Sequence, residues 1–237
     1  MPKFGVVVFP GSNCDHDMIY ALETCMKQKA VRIWHKSTDL QGCDCIILPG
    51  GFSFGDYLRS GALSKFSPIM HSVTDFASNG GYVIGICNGF QILCESGLLP
   101  GALLMNANRK FICKNIYLKV QNRSSAVTQS APVNGVLKIP IAHGEGRYYA
   151  DSISLSKLNK ENRILFRYCD AQGETTEESN PNGSLENIAG ICNEAGNVIG
   201  MMPHPERAAD ELLGNTDGKY VLNSLIHAIT KKRRTVI

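Results

Sequence analysis

Residues 82–91 read Tyr82-Val83-Ile84-Gly85-Ile86-Cys87-Asn88-Gly89-Phe90-Gln91, and this stretch decides the fold. Its first half is an unbroken apolar run, which predicts a strand buried on both faces. Its second half opens a predicted helix over 88–96. Between them stands Cys87, with glycine two positions before it and two after. A cysteine on a sharp strand-to-helix turn is the thiol form of the nucleophile elbow. The bend exposes the side chain, and larger residues at the flanking positions would clash there. The sulfur then lies at a helix N-terminus, whose dipole favours negative charge. The N–H of Asn88 is free to bind a developing oxyanion. The bland alternative is that Cys87 is one more small buried residue and the glycines serve packing. A base elsewhere in the chain decides between the two.

Working outward, the chain up to this elbow alternates strand and helix. Residues 3–10 (KFGVVVFP) form a β-branched run. Asn13 or Asp15 is placed to cap a helix carrying Met18, Leu22, Cys25 and Met26 on one stripe. Strands follow at 31–35 and 45–48, the second ending at Pro49-Gly50-Gly51. A glycine-rich loop covers 52–61. The spacing of Phe66, Ile69, Met70, Val73 and Phe76 predicts a helix over 63–78, ended by Asn79-Gly80-Gly81. Such alternation implies a parallel sheet with helices on both faces. Beyond Ala102 the pattern changes to short alternating runs, which predict a small antiparallel hairpin region. Strands are expected at 164–168, 187–192 and 198–202, and a closing helix at 220–231. The polar segment 174–183 reads as an exposed loop. No linker-like stretch or repeat interrupts the chain, so 1–237 reads as a single domain.

The base is found at Met202-Pro203-His204-Pro205-Glu206. The two prolines restrict the backbone around His204 and aim its ring. Glu206 is placed to hold the second ring nitrogen and fix the tautomer. Cys87 and His204 both follow predicted strands of one sheet, and ligands of parallel sheets gather at carboxyl strand ends. The turn at Pro49-Gly50-Gly51 also follows a strand. There the N–H of Gly51 and that of Asn88 would make a two-donor oxyanion hole. Nucleophile, base, orienting acid and oxyanion donors together suit acyl transfer.

Composition excludes several other classes. The 237 residues are 43% hydrophobic and 19% charged, as in an ordinary globular protein. The net charge of +3 sits largely in Lys231, Lys232, Arg233 and Arg234, a tail expected to be a solvated, frayed end. Neither a nucleic-acid patch nor a membrane anchor is read from it. The nine cysteines are odd in number and partly lie in apolar runs, which argues against a disulfide scaffold and for a reducing cytosol. No CxxC pair occurs, and Cys43-Asp44-Cys45 has the wrong spacing for a zinc knuckle, so no metal site is expected. Asn13-Cys14-Asp15-His16-Asp17 resembles a metal cluster, but acids in a helix's first turn explain it better. Apolar runs fall well short of the ~20 residues a membrane span needs.

The three motifs, PGG, GxCxGxQ and HPE in that order, resemble those of the class I (triad) glutamine amidotransferases, over nearly the whole chain. The resemblance implies a flavodoxin-like α/β fold, with Cys87 as nucleophile, His204 as general base and acid, and Glu206 as its orienter. It places Gln91 near the substrate. Residues 8–15 (VFPGSNCD), 49–59 (PGGFSFGDYLR) and 143–147 (HGEGR) are closer still to the glutaminase subunits of phosphoribosylformylglycinamidine synthases, a branch working in purine biosynthesis. By that resemblance His143 belongs to a loop near the glutamine or a partner. Asn108, in the segment 105–111, matches the region that contacts the glutamine head group. The implied partners are a large ATP-using synthase subunit and a small bridging subunit. ATP and Mg would bind the partner, and this chain has no GxxxxGKS/T phosphate loop. No cofactor of its own is expected. Rival readings are the glutaminase of another synthase, a free hydrolase of the same fold, and an inactive scaffold that only binds a partner.

Overall fold

A computed structural model describes residues 1–235. Their elements, in order, are β1 (Lys3–Val8), α1 (Asp15–Tyr20), β2 (Lys29–Trp34), β3 (Cys45–Leu48), α2 (Pro68–Ser78), β4 (Tyr82–Ile86), α3 (Asn88–Glu95), β5 (Ala102–Leu104), β6 (Ile112–Val120), β7 (Val136–His143), β8 (Arg147–Tyr149), α4 (Ser152–Lys160), β9 (Ile164–Cys169), β10 (Ile188–Cys192), β11 (Val198–Met201) and α5 (Gly218–Thr235). Nine strands form one sheet in the order β2-β1-β3-β4-β11-β10-β9-β6-β7. The first five are mutually parallel. From β11 to β7 every pairing is antiparallel.

The inner parallel strands are apolar, as expected where helices cover both faces: β3 is buried at every position, while the edge strand β2 carries Lys29 and Arg32 and exposes both. β6 reads differently. Ile116, Leu118 and Val120 are buried while the residues between them are not. That alternation gives it one core face, and it pairs with both β7 and β9. The expected antiparallel hairpin is β6 with β7, and it extends the main sheet through β9. The small antiparallel sheet is β5 with β8. One continuous apolar cluster spans both halves, from Val6, Ile47 and Ile84 to Phe166, Leu118 and Ile139.

Several local expectations need correction. The helix expected over 63–78 is a short 3-10 turn (Ser64–Phe66) followed by α2. Pro68 opens α2 and forces Ser67 into extended backbone, so the two pieces cannot merge. Phe66 is consequently 72% exposed instead of lying on the core stripe. Neither Asn13 nor Asp15 caps α1; its N-cap residue is Cys14, which makes no capping bond. The basic tail is helical: α5 runs to Thr235. Arg233 donates to the Met1 carbonyl at 2.8 Å and meets Asp44 at 3.3 Å, and Lys232 donates to the Gly80 carbonyl. Cations suit that dipole end. The polar segment 174–183 is only partly exposed, since Asn182 at its end is buried. Among the described residues no helix is long and apolar enough to cross a membrane.

Candidate active site

Three neighbouring parallel strands, β3, β4 and β11, end at the same edge. Leu48 pairs with Gly85, and Met201 with Ile86. Adjacent strands lie ~4.8 Å apart. Register alone thus sets Gly50-Gly51, Cys87 and the 202–206 segment side by side. Cys87 occupies the middle strand end with φ 51° and ψ −106°, a strained backbone for a residue with a side chain. The strain is held by surroundings. Its N–H donates to the Met201 carbonyl at 2.8 Å. A Cβ on Gly89 would sit 1.9 Å from the Leu48 carbonyl oxygen, and one on Gly85 2.5 Å from that of Gly89. The two glycines let α3 press against β3 and β4, which keeps the bend sharp.

At the next strand end, His204 Nδ1 lies 2.6 Å from Glu206 Oε1. The pair is almost wholly enclosed. The His204 N–H donates to the Pro140 carbonyl at 2.9 Å. α5 begins directly against this turn, with Gly218 too close to the Pro205 carbonyl for any side chain. Burial opposes charge on His204, but the Glu206 carboxylate, with the Cys87 and Cys14 thiols, holds its pKa well above the ordinary histidine value. A Cβ on Gly50 would lie 2.7 Å from His204 Cε1, 3.1 Å from Cys14 Sγ and 3.3 Å from Cys87 Cβ. Only bare backbone fits among these three side chains, so they converge on one point. The Cys87 Sγ itself lies 3.6 Å from the Ala142 carbonyl oxygen.

Gly51 has φ +133°, and a Cβ there would meet Asn13 N at 2.4 Å. The 11–13 loop thus presses on the second expected oxyanion donor. The Asn88 side chain ties the strained loop 52–61 to α3. Its Oδ1 accepts from Ser53 N at 3.1 Å, and its Nδ2 donates to Gln91 Oε1 at 2.8 Å and Asp56 Oδ1 at 3.3 Å. Gln91 then donates to the Glu145 carbonyl at 2.6 Å. Burial pushes the Asp56 carboxyl up to about 6; Glu145 adds to this, while bonds from Ser60 and Asn88 oppose it.

The other expected substrate contacts are placed differently from one another. His143, at the end of β7, is 3% exposed. Its Nδ1 donates to Asn106 Oδ1 at 3.0 Å, and Asn182 Nδ2 faces its Nε2 at 3.5 Å. Burial, with the nearby His204 charge, lowers its pKa to about 4, so the ring is neutral. Asn108 lies in an exposed turn, where its Oδ1 accepts from Lys110 N at 3.0 Å. Its neighbour Asn106 is the organising residue. It accepts from His143 and Gly146 and donates to the Lys110 and His143 carbonyls. Sequence reading missed Asn106 and Asn182, because nothing local distinguishes them from other loop asparagines. Cys14, read with its neighbours only as part of a helix start, places its Sγ 3.1 Å from Arg207 Nη2. Cys87 is 4% exposed in this arrangement. A cleft of about 600 Å³ lined by Ala142, Glu206 and Arg207 opens beside the carboxylate end of the pair.

A CobB/CobQ-like glutamine amidotransferase domain model matches residues 1–221. The chain is 55% identical over 230 residues to phosphoribosylformylglycinamidine synthase subunit PurQ of Koribacter versatilis, covering 97% of this chain and 100% of that one. It is 56% identical to the PurQ of Moorella thermoacetica, covering 94% and 95%. Among solved structures, PurLQS from Thermotoga maritima matches with a TM-score of 0.84 at 43% identity, over 96% of this chain and 99% of that one. The glutaminase domain of Trypanosoma brucei CTPS shares the fold at a TM-score of 0.60 and 14% identity. The chain belongs to the CobB/CobQ-like glutamine amidotransferases and, within them, to the family of phosphoribosylformylglycinamidine synthase PurQ subunits.

Proposed function

We propose that this chain is the glutaminase subunit of a phosphoribosylformylglycinamidine synthase, with Cys87, His204 and Glu206 as its triad. The observation that carries the reading is Cys87 on a positive-φ bend beside a buried His204–Glu206 pair at the next strand end but one loop away. His204 Nε2 takes the thiol proton, and the sulfur attacks the glutamine carboxamide carbon. The oxyanion is received by the N–H groups of Gly51 and Asn88, the latter in the free first turn of α3. His204 returns the proton to the departing ammonia, leaving a thioester. Water, deprotonated by the same imidazole, releases glutamate. Glu206 keeps Nδ1 protonated throughout.

Gln91, His143 and Asn108 are proposed around the glutamine. Gln91 acts by holding the 144–146 loop to α3, and His143 by supporting that loop from below. Ammonia would pass to the large synthase subunit, assisted by a small bridging subunit; ATP and Mg belong to that partner. The order β2-β1-β3-β4-β11 favours the flavodoxin-like pattern, and one continuous core favours a single domain over 1–237. Nine unpaired thiols suit a reducing cytoplasm.

The test is a glutamine-mimicking alkylator applied to the complex with its synthase subunits, followed by peptide mapping. Modification confined to Cys87, with loss of glutamine-dependent but not ammonia-dependent synthesis, is expected. Label spread over several thiols overturns the nucleophile.

A further inference from the structure

Asn88 is 0% exposed, yet the proposed chemistry uses only its backbone N–H. Its side-chain amide is fixed in direction. The Ser53 N–H can only donate, so Asn88 Oδ1 must face it, at 3.1 Å. Nδ2 then points the other way, to Gln91 Oε1 at 2.8 Å and Asp56 Oδ1 at 3.3 Å. Gln91 in turn must offer Nε2 to the Glu145 carbonyl, at 2.6 Å. The donors therefore run one way, from Ser53 through Asn88 and Gln91 to Glu145. Gly51, the second proposed oxyanion donor, stands two residues before Ser53. The three N–H groups after it are all engaged. Those of Phe52 and Phe54 donate to the Gly11 and Pro10 carbonyls at 2.8 and 2.6 Å. Of the three, only that of Ser53 reaches α3, the helix that carries the other donor. Farther along, the loop is strained: Phe54, Asp56 and Leu58 have φ of 56°, 55° and 71°. Residues with side chains keep such a left-handed backbone only where their surroundings hold it.

We propose that the Asn88 side chain is a positioning residue that sets the spacing of the two oxyanion donors. The residue lends one N–H to the hole and, through Ser53, grips the loop that lends the other. An oxyanion donor acts only at hydrogen-bond distance from the developing charge, and a displacement of roughly 1 Å costs about 100-fold in rate. The strained loop has no local preference for its conformation, so the buried amide must hold it. A hydrocarbon of the same size at position 88 would leave the Ser53 N–H and Gln91 Oε1 without their partners. The Gln91 bond carries the same grip on to Glu145, so the 144–146 loop is held to α3 through one side chain. This inference rests on the glutaminase reading, and it gives the amide itself no contact with the reacting atoms.

The test is Asn88→Leu in the complex with the synthase subunits. Glutamine-dependent kcat should fall about 100-fold while the KM for glutamine changes little, because the grip acts on the transition state. Two reagents for Cys87 separate positioning from general damage. With an aldehyde analogue of glutamine, the sulfur bonds to the carbonyl carbon and the C=O electron pair moves to oxygen. The resulting oxyanion needs both donors, so affinity for the analogue should fall in step with kcat. Iodoacetamide alkylates the same sulfur by displacing iodide, with no oxyanion. Its rate at Cys87, followed by peptide mapping, should be nearly unchanged. A folded Asn88→Leu with native kcat overturns the proposal, and so does one whose alkylation slows as much as its turnover. Should the leucine variant not fold, Asn88→Ser, with room for a water, is put through the same measurements and judged by the same outcomes. Failure of the glutaminase reading would show earlier: the native complex would have neither glutamine turnover nor affinity for the aldehyde.

Discussion

The parallel and antiparallel halves of the sheet contribute to the site in different ways. In the parallel half, β3, β4 and β11 each deliver a motif within a few residues of their ends, and register does the rest. The antiparallel half contributes through long connections. His143 at the end of β7 is held by Asn106, 37 residues away, and faces Asn182, 39 residues away. The difference teaches where local sequence is informative. A strand end followed by a strained turn carries its own signature; a polar network closed by tertiary contact does not.

The sharpest way to break this division is Cys87→Ala. Glutamine-dependent synthesis should fall roughly a million-fold, as for loss of a triad nucleophile, while ammonia-dependent synthesis by the complex persists. Surviving glutamine hydrolysis would remove the parallel half's claim to the chemistry. Next come His204→Ala, which removes the proposed acid–base group, and Glu206→Gln, which removes the carboxylate proposed to orient it; each is expected to lower turnover by about 10²- to 10⁴-fold. Steady-state ammonia release checks this, and a tenfold loss or less would be too small for a triad member.

Gly89→Ala tests the bend through stability. Its Cβ would meet the Leu48 backbone at 1.9 Å, which no rotamer relieves. A loss above about 4 kcal/mol in denaturant melts is expected.

A pH series separates the halves by sign. His143 has its folded pKa lowered to about 4, so its neutral form belongs to the native state. The unfolded chain takes up this proton near pH 6.5, and stability falls as pH drops from there to about 4, by roughly 3 kcal/mol from this group. Asp56, on the loop of the parallel half, is raised to about 6. Its contribution is fully present below the unfolded carboxylate range and is lost as pH rises through about 6, the opposite direction. His143→Gln should therefore flatten the acid loss measured in urea melts at stepped pH, and Asp56→Asn should steepen it. Equal slopes in both variants would remove the contrast.

The smallest effect is expected at Arg233→Ala. This half-exposed side chain pairs with Asp44, and its loss should change stability by less than about 1 kcal/mol. A larger change would mean that the α5 terminus anchors the parallel edge more firmly than a surface pair can.

Particular residues mark what was legible. Glycines at 85 and 89 could be read as packing requirements because a turn this tight admits no Cβ there, and the Leu48 carbonyl bears that out. The α2 start was misread because apolar spacing outvoted Pro68, whose ring fixes the residue before it in extended form. The alternation beyond Ala102 announced antiparallel pairing, but not that β6 would also lie against β9, because it reports one buried face and not which strand lies alongside. Asn106 and Asn108 were indistinguishable in sequence; only the fold buries one and leaves the other in its own turn.

The sequence by itself determined the alternation of strand and helix, the bend at Cys87 and the proline-flanked histidine with its carboxylate. All of these are set by interactions within a few residues, where backbone sterics dominate. Tertiary structure alone decided that the antiparallel strands join the main sheet, that Asn106 and Asn182 enclose His143, and that Cys14 turns toward His204. Those outcomes depend on which distant groups burial brings together, and a buried polar atom must find a partner wherever the chain supplies one.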